Sequence, residues 1–139
     1  MAYKRKTWQE KMHNGIPPKV EITTKKFADV PDGATMFIGT PELVDAYIRN
    51  IPKGVHTSLQ QMRKDLAAVY NAAYTCPVTS GIFLRIVAEA AHEAFIAGKP
   101  IKKTTPFWRM TDSRSPVAKK LTFGTEFVKE QREKEGLPF

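Results

Sequence analysis

Apolar side chains recur at helical spacing in three stretches of the chain between residues 40 and 97. The first stretch runs from Leu43 to Ile51, the second from Leu59 to Tyr70, and the third from Phe83 to Phe95. In each stretch the apolar residues follow one another at intervals of three and four, which puts them on one face of a helix. The pattern therefore predicts three helices, of which the third is the longest.

Capping signals predict where these helices begin and end. Thr40, followed by proline and glutamate, is predicted to cap the first helix, and Thr57 is predicted to cap the second. The third helix is predicted to begin at Thr79 or Ser80 and to run to about Ala97. The predicted stops are the turn-forming residues Pro52-Lys53-Gly54 and Gly98.

The flanking segments carry weaker signals. Residues 1–33 are predicted to be loosely structured, apart from a short helix between Thr7 and His13, and residues 34–38 have the composition of a strand. Residues 104–122 are predicted to form two extended segments around a turn. A last helix is predicted between Thr125 and Gly136.

These elements together predict a mainly α fold with a small β element. Three helices, a short two-stranded wing and a closing helix would give a winged-helix-like arrangement, with the third helix as the recognition helix. We therefore divide the chain into an N-terminal extension, residues 1–39, and a winged-helix-like domain, residues 40–139.

Composition narrows the class of protein. A chain of 139 residues with 42% hydrophobic residues suits one domain with a real core. No apolar run approaches the length of a transmembrane helix, so a membrane partner is not expected. Cys76 is the only cysteine, which permits no internal disulfide and gives no metal-binding pattern. We expect a cytoplasmic monomer with no metal and no cofactor.

The charge is positive and unevenly distributed. The chain carries a net charge of +8, and residues 1–26 hold seven Lys and Arg against two Glu. Residues 99–120 hold seven Lys and Arg against one Asp. Two basic blocks beside a nearly neutral core favour a polyanionic partner, above all nucleic acid, although such charge can also serve solubility alone.

The third helix carries a stripe of small residues with one arginine. Gly81, Arg85, Ala88 and His92 lie on one predicted face of this helix, which is expected to be exposed. Small side chains let a helix approach a DNA groove closely, and an arginine can enter the base stack or contact phosphate. Alternatively, the stripe is an ordinary helix surface on which Arg85 pairs with Glu89.

Four segments resemble, in the same order, the DNA-binding domain of the alkylguanine-DNA alkyltransferases. Their motifs in that family are I-P-x-G-x-V-(T/S)-(T/S)-Y, A-R-A-V-G-x-A, P-C-H-R-V and L-x-x-E-G-(V/L). The matching segments here are residues 51–58, 84–90, 105–110 and 124–137, and the resemblance runs from about Thr40 to Leu137.

The resemblance implies a DNA-binding role without the family's chemistry. Phe107 stands at the acceptor cysteine and Trp108 at the neighbouring histidine, while Leu59 replaces a tyrosine that helps to rotate the phosphate. The family's alkyltransferase-like branch also lacks the cysteine. Its members bind alkylated DNA, flip the lesion and flag it for nucleotide excision repair.

Site residues follow from the resemblance. Arg85 would be the arginine finger that takes the place of a flipped nucleotide, and Phe107, Trp108 and Arg109 would line the base pocket. The remaining DNA-binding residues would be Gly81, Ala88, Thr57, Ser58, Lys53, Lys102, Lys103 and Lys119.

The aromatic pair Phe107–Trp108 also has a purely structural interpretation. The two rings could stack a flipped base, or they could belong to the core of a small wing. In an extended segment only one of them can face inward. Arg109 would then lie on the same face as Phe107 and could anchor a phosphate or a carboxylate.

Cys76 offers an enzymatic alternative. It precedes Pro77 near a helix N-terminus, where a thiol can become more acidic, so it could serve as a relocated methyl acceptor. It could equally be a small buried residue of a connector.

The sequence thus favours a non-catalytic protein that binds double-stranded DNA, recognises alkylated guanine by base flipping and signals to nucleotide-excision-repair proteins. The alternatives are a methylated-DNA–protein-cysteine methyltransferase that uses Cys76, and a general winged-helix module that binds DNA or protein.

Overall fold

The computed structural model describes residues 6–138 and is mainly helical, with a small three-stranded sheet. Lys4 and Arg5, which belong to the first basic block, lie outside the described residues. Two 3₁₀ turns, Ile101–Lys103 and Phe107–Arg109, join the later helices. The elements are α1 (Trp8–Met12), β1 (Lys19–Ile22), β2 (Thr35–Ile38), α2 (Pro41–Arg49), α3 (Leu59–Val69), β3 (Tyr74–Thr75), α4 (Pro77–Ile96), α5 (Pro116–Lys120) and α6 (Glu126–Lys134).

The three predicted central helices are confirmed as α2, α3 and α4, with corrections at two starts. The Thr40 hydroxyl accepts a hydrogen bond from the backbone N–H of Leu43, as expected of an N-cap. The predicted cap of α3 is wrong by one residue, because Ser58 and not Thr57 caps it. The Thr57 N–H instead donates to the carbonyl of Arg109 at 2.9 Å. Helix α4 begins at Pro77, ahead of the predicted start, because proline suits a first helical turn.

The sheet lies largely in the N-terminal segment. Strand β2 was predicted, and it pairs antiparallel with β1 on one side and parallel with β3 on the other. Strand β1 is exposed at all four residues and β3 is only two residues long, so neither carries a recognisable apolar alternation. Helix α1 was also predicted, and Thr7 caps it in a capping box with Glu10.

The predicted two-stranded wing is wrong. Residues 104–122 contain no strand. The chain makes the turn Phe107–Arg109, closed by a bond from the N–H of Met110 to the carbonyl of Phe107. It then enters α5, whose N-cap is Ser115. Ser115 and Pro116 were predicted to belong to the turn between the two extended segments. A serine followed by a proline can also begin a helix, and here the pair begins α5.

Helix α4 is the centre of the core. Helices α1, α2, α3 and α5 all pack on it, and most of its residues from Val87 to Ala91 are buried. The N-terminal segment is tied to it directly, because the Gln9 amide donates to the carbonyl of Ala90 at 2.8 Å. Residues 6–39 therefore pack against the later part of the chain, while the boundary at residue 40 stays a prediction.

Helix α6 ends in a hydrogen-bonded turn that buries an arginine. Gly136 has φ +74°, and the N–H groups of Gly136 and Leu137 bond to the carbonyls of Glu133 and Arg132, as in a Schellman motif. The Arg132 side chain is the largest fully buried one among the described residues. Its donors reach the carbonyl of Trp108 at 2.7 Å, the carbonyl of Pro138 at 2.5 Å and the Nδ1 atom of His56 at 3.2 Å.

We predict that Arg132→Met lowers the free energy of unfolding by about 2–4 kcal/mol, because the buried carbonyl of Trp108 and the partly buried carbonyl of Pro138 lose a charged donor. Urea denaturation followed by circular dichroism measures the change. Arg114→Met is the matched control, since Arg114 is exposed, and it should stay within about 0.5 kcal/mol of the native protein. Equal stabilities of the two variants would contradict the structural role of Arg132.

Candidate nucleic-acid interface

The first half of α4 forms the floor of a groove, here called the α4 groove. Helix α1, the start of α3 and the start of α5 surround it, and the enclosed volume is about 690 Å³. Its lining divides into an apolar floor and a basic rim. The apolar part includes Leu59, Val78, Ile82, Ile86 and Val117, and the cations are Lys11, Arg85 and Lys120.

Gly81 leaves the floor of this groove open. The residue lies inside a 20-residue helix, where glycine costs about 0.5–1 kcal/mol relative to alanine. Neither packing nor backbone conformation requires glycine there, because a Cβ built on Gly81 would meet no atom within 4 Å. The space above Gly81 is therefore accessible to a ligand.

Arg85 lies in the α4 groove and is only loosely held. Its nearest carboxylate contact is Nη2 to Oε2 of Glu89 at 3.9 Å, and its guanidinium carbon lies 5.5 Å from the centre of the Trp8 ring. Glu89 is buried and accepts two shorter bonds from Thr122, one from the hydroxyl at 2.6 Å and one from the backbone N–H at 3.1 Å. The expected pairing of Arg85 with Glu89 is therefore weak, and 36% of the Arg85 side chain remains exposed.

The predicted exposed stripe is shorter than expected. Ala88 was assigned to DNA contact, but it is fully buried in the core and cannot reach DNA. His92 is half-buried and stacks on Phe123 with ring centres 3.8 Å apart. Helical spacing identifies one face of α4 but not the neighbours that cover it, so only Gly81 and Arg85 of the stripe line the groove.

Phe107 and Trp108, which were predicted to line a base pocket, are both buried: Phe107 lies in the core, whereas Trp108, 4% exposed, also lines a cavity together with Arg109. Phe107 packs nearly parallel to Phe127, with ring centres 5.9 Å apart. Trp108 meets Phe127 edge-on and donates its indole N–H to Glu135 at 2.6 Å. Strand alternation would have exposed one of the two residues, whereas a 3₁₀ turn lets consecutive side chains both reach the core.

Glu135 holds the segment around Trp108 in position. Its carboxylate accepts bonds from Nε of Arg109 at 2.9 Å and from the N–H of Gly54 at 2.8 Å, besides the indole of Trp108. Burial alone would raise the pKa of Glu135, but these hydrogen bonds outweigh it and lower the pKa below its usual range. Arg109 therefore anchors a carboxylate, one of its two predicted roles, and it also donates to the carbonyl of Ile51 at 2.8 Å.

The predicted phosphate-binding residues do not converge on one surface. Thr57 and Ser58 are half-buried at the start of α3, while Lys103 and Lys119 are exposed. Lys53 and Lys102 line a second cavity, here called the basic cleft, together with Trp108 and Arg109. The basic cleft and the α4 groove share no lining residue.

Cys76 occupies the N-cap position of α4 and is buried, with 4% of its surface exposed. It packs with Val30 and Met36, and its N–H donates to the carbonyl of Phe37 at 2.8 Å. The second of its two predicted roles, a small buried connector residue, agrees with this position.

The sequence analysis missed the tryptophan and both lysines that line the groove. Trp8 and Lys11 come from α1, and Lys120 ends α5. The short helix at Trp8 was predicted, but no signal in the sequence indicates that it packs beside Arg85. That contact depends on the bonds from the N–H groups of Trp8 and Gln9 to the Glu93 carboxylate.

Comparisons with protein-family models, with curated proteins and with solved structures gave no match. Within residues 6–138, no helix is long and apolar enough to cross a membrane. Over the same residues, no three His, Cys, Asp or Glu side chains are grouped so that they could hold a metal ion.

We predict that His92 makes the protein less stable in mild acid. Burial lowers the pKa of His92 below its usual value of about 6.5, so the unfolded chain binds the proton more readily. The stability that the neutral ring contributes is present above about pH 6.5 and is lost as the pH falls through the lowered pKa.

His92→Phe keeps a ring against Phe123 but cannot titrate. The melting temperature of this variant should therefore fall less steeply than that of the native protein between about pH 6.5 and 5. A His92→Phe curve parallel to the native one would contradict the prediction.

Proposed function

We propose that this protein binds double-stranded DNA without catalysis, and that the α4 groove is the binding surface. In this proposal α3 and α4 act as the DNA-reading pair of a winged-helix-like domain, although the wing strands are absent. The observation that carries the proposal is the composition of the groove. Among residues 6–138, three cations, Lys11, Arg85 and Lys120, line the groove around an apolar floor, and no carboxylate residue does so.

Arg85 is the proposed finger that enters the base stack. The side chain is 36% exposed, its contact with the Glu89 carboxylate is 3.9 Å long, and its guanidinium carbon lies 5.5 Å from the centre of the Trp8 ring, so it can leave these weak contacts at little cost. Gly81 lies one turn before it on the same face and allows a close approach of the DNA. These properties agree with the role that the resemblance to the alkyltransferases implies for Arg85.

The apolar floor of the groove is the proposed position of an unstacked base. A base that stacks on an aromatic side chain gains about 1–3 kcal/mol. Trp8 supplies such a ring at the edge of the groove. This assignment replaces the pair Phe107–Trp108, which lies in the core. Recognition of an alkylated guanine, and a subsequent signal to nucleotide excision repair, belong to the proposal through the family resemblance alone.

The phosphate contacts are proposed for the lysines at the rim. Lys11 and Lys120 line the groove, and the exposed Lys119 precedes Lys120 in α5. Contacts of this kind bind DNA without reading its sequence, and they weaken as salt increases.

The proposal gives Cys76 no role as a methyl acceptor. Cys76 is buried beside Val30 and Met36, so its thiol cannot reach an alkyl group on DNA in this conformation. A general binding module remains the second candidate, because Val78 and Ile82 are about half exposed on the same face.

We predict that Arg85→Ala weakens binding to a duplex by about ten-fold or more, equivalent to about 1.4 kcal/mol. Fluorescence anisotropy with a labelled duplex at two salt concentrations provides the measurement. Lys129→Ala, a charge removal on α6 outside the groove, is the matched control and should bind as the native protein does. Equal affinities of the native protein and both variants would reject the α4 groove as the DNA surface.

We also predict that Lys120→Ala weakens duplex binding equally for all DNA sequences. The slope of log affinity against log salt concentration should become smaller by about one, as expected for one lost phosphate contact.

Matched duplexes with and without one alkylated guanine separate the two candidate functions. Tighter binding to the alkylated duplex, with an unchanged protein mass, supports lesion recognition. Equal binding favours the general module, and a gain of one methyl mass would establish an alkyltransferase instead.

A further inference from the structure

The basic cleft is a second concave surface with its own chemistry. It lies between the end of α2, the loop at residues 52–54, the turn Ile101–Lys103 and the end of α6, and its volume is about 420 Å³. Small-molecule pockets have volumes of about 300–1,000 Å³. The cleft is therefore large enough for a small organic ligand.

Its positive charge is not balanced within the described part of the chain. Five cations line the cleft against one carboxylate, Glu135, which already accepts bonds from Arg109, Gly54 and Trp108. The cations are Arg49, Lys53, Lys102, Arg109 and Lys134. Arg49 bonds to Asp45 at 2.9 Å, but no carboxylate lies within 4 Å of the ammonium groups of the three lysines in residues 6–138.

Three like charges around one concavity raise the local potential. Lys53, Lys102 and Lys134 are exposed, and their side chains come from three separate elements that the fold brings together. A cleft with charges of one sign focuses the field and raises the local concentration of counter-ions. A ligand with several adjacent negative charges would relieve this repulsion better than separate monovalent ions.

Besides these charges, the lining has the polar residues Thr104 and Gln131 and an apolar wall, which can hold an uncharged part of such a ligand. Ile101 and Pro106 lie beside Trp108 on the wall of the cleft. Cations that follow a DNA duplex are spread along a surface, whereas these converge on a single cavity. The geometry favours a compact polyanion over a segment of duplex.

We propose that the basic cleft binds a small ligand that carries a chain of phosphate groups, of the size of a nucleoside triphosphate. Lys53, Lys102 and Lys134 contact the phosphates, and the apolar wall contacts the remainder. This site is separate from the α4 groove, and the proposal does not rest on DNA binding.

Trp108 provides a built-in reporter for the test. The chain has two tryptophans, and Trp108 alone lines the cleft, so Trp8→Phe leaves a single reporting indole. This variant is titrated with ATP, with inorganic tripolyphosphate and with adenosine. We expect saturable fluorescence changes with ATP and tripolyphosphate, with Kd below about 1 mM, and none with adenosine.

The two phosphate ligands distinguish the source of the affinity. Equal binding of ATP and tripolyphosphate means that the phosphate chain alone is recognised, whereas tighter binding of ATP means that the apolar wall contributes. Both results support the site. The absence of saturation with either ligand, or binding of adenosine as tight as that of ATP, would overturn it.

A charge-reversal pair tests the position of the ligand. Lys53→Glu with Lys102→Glu should weaken ATP binding by at least about ten-fold. Lys119→Glu with Lys120→Glu makes the same change of charge on α5 and should leave ATP binding unchanged, and thermal melting checks that both double variants fold. Equal weakening by the two pairs would indicate general charge attraction and would overturn the proposed site.

A competition experiment separates this proposal from DNA binding. Excess duplex should leave the ATP titration unchanged, and Arg85→Ala should weaken duplex binding without affecting ATP. If duplex displaces ATP, and the Lys53→Glu, Lys102→Glu variant loses duplex affinity as Arg85→Ala does, then the cleft belongs to the DNA surface and the proposal is wrong.

Discussion

The carboxylate of Glu135 and the guanidinium of Arg132 join the end of α6 to the loop after α2 and to the turn Phe107–Arg109. Glu135 receives bonds from Arg109, Gly54 and Trp108, while Arg132 donates to the carbonyl of Trp108 and approaches the ring of His56. Both residues lie at the end of α6, and both are almost fully buried. Because buried charges of this kind are costly without partners, the three segments around them must assemble together.

This assembly decides where ligands can bind. It draws Phe107 and Trp108 into the core, where they pack with Phe127, so of these two rings only Trp108 still borders an open cavity. Two of the cavities at the surface have the charge and size to bind a ligand. One is the α4 groove around Arg85, and the other is the basic cleft whose wall includes one side of Trp108.

Helices α2, α3 and α4 could be predicted because each combines an apolar stripe with a recognisable stop or cap. The segment 104–122 was predicted wrongly because short 3₁₀ and α turns carry too few residues to establish a period. Part of the proposed DNA-binding groove could be predicted from the sequence. Gly81 and Arg85 line the groove, but Ala88 does not, since an apolar or small residue on a helix surface carries no sign of what will cover it.

Local signals along the chain were enough to predict helices α1, α2, α3, α4 and α6 and the excess of positive charge, because propensity, capping and charge are local properties of the chain. The packing of the whole chain, in contrast, places Trp8 and Lys120 beside Arg85 in one groove, gathers Lys53, Lys102 and Lys134 in another cleft, and makes Glu135 the partner of Arg109. These juxtapositions unite residues from distant segments. They result from the packing of α1, α5 and α6 around the common core, and no local pattern records which faces meet there.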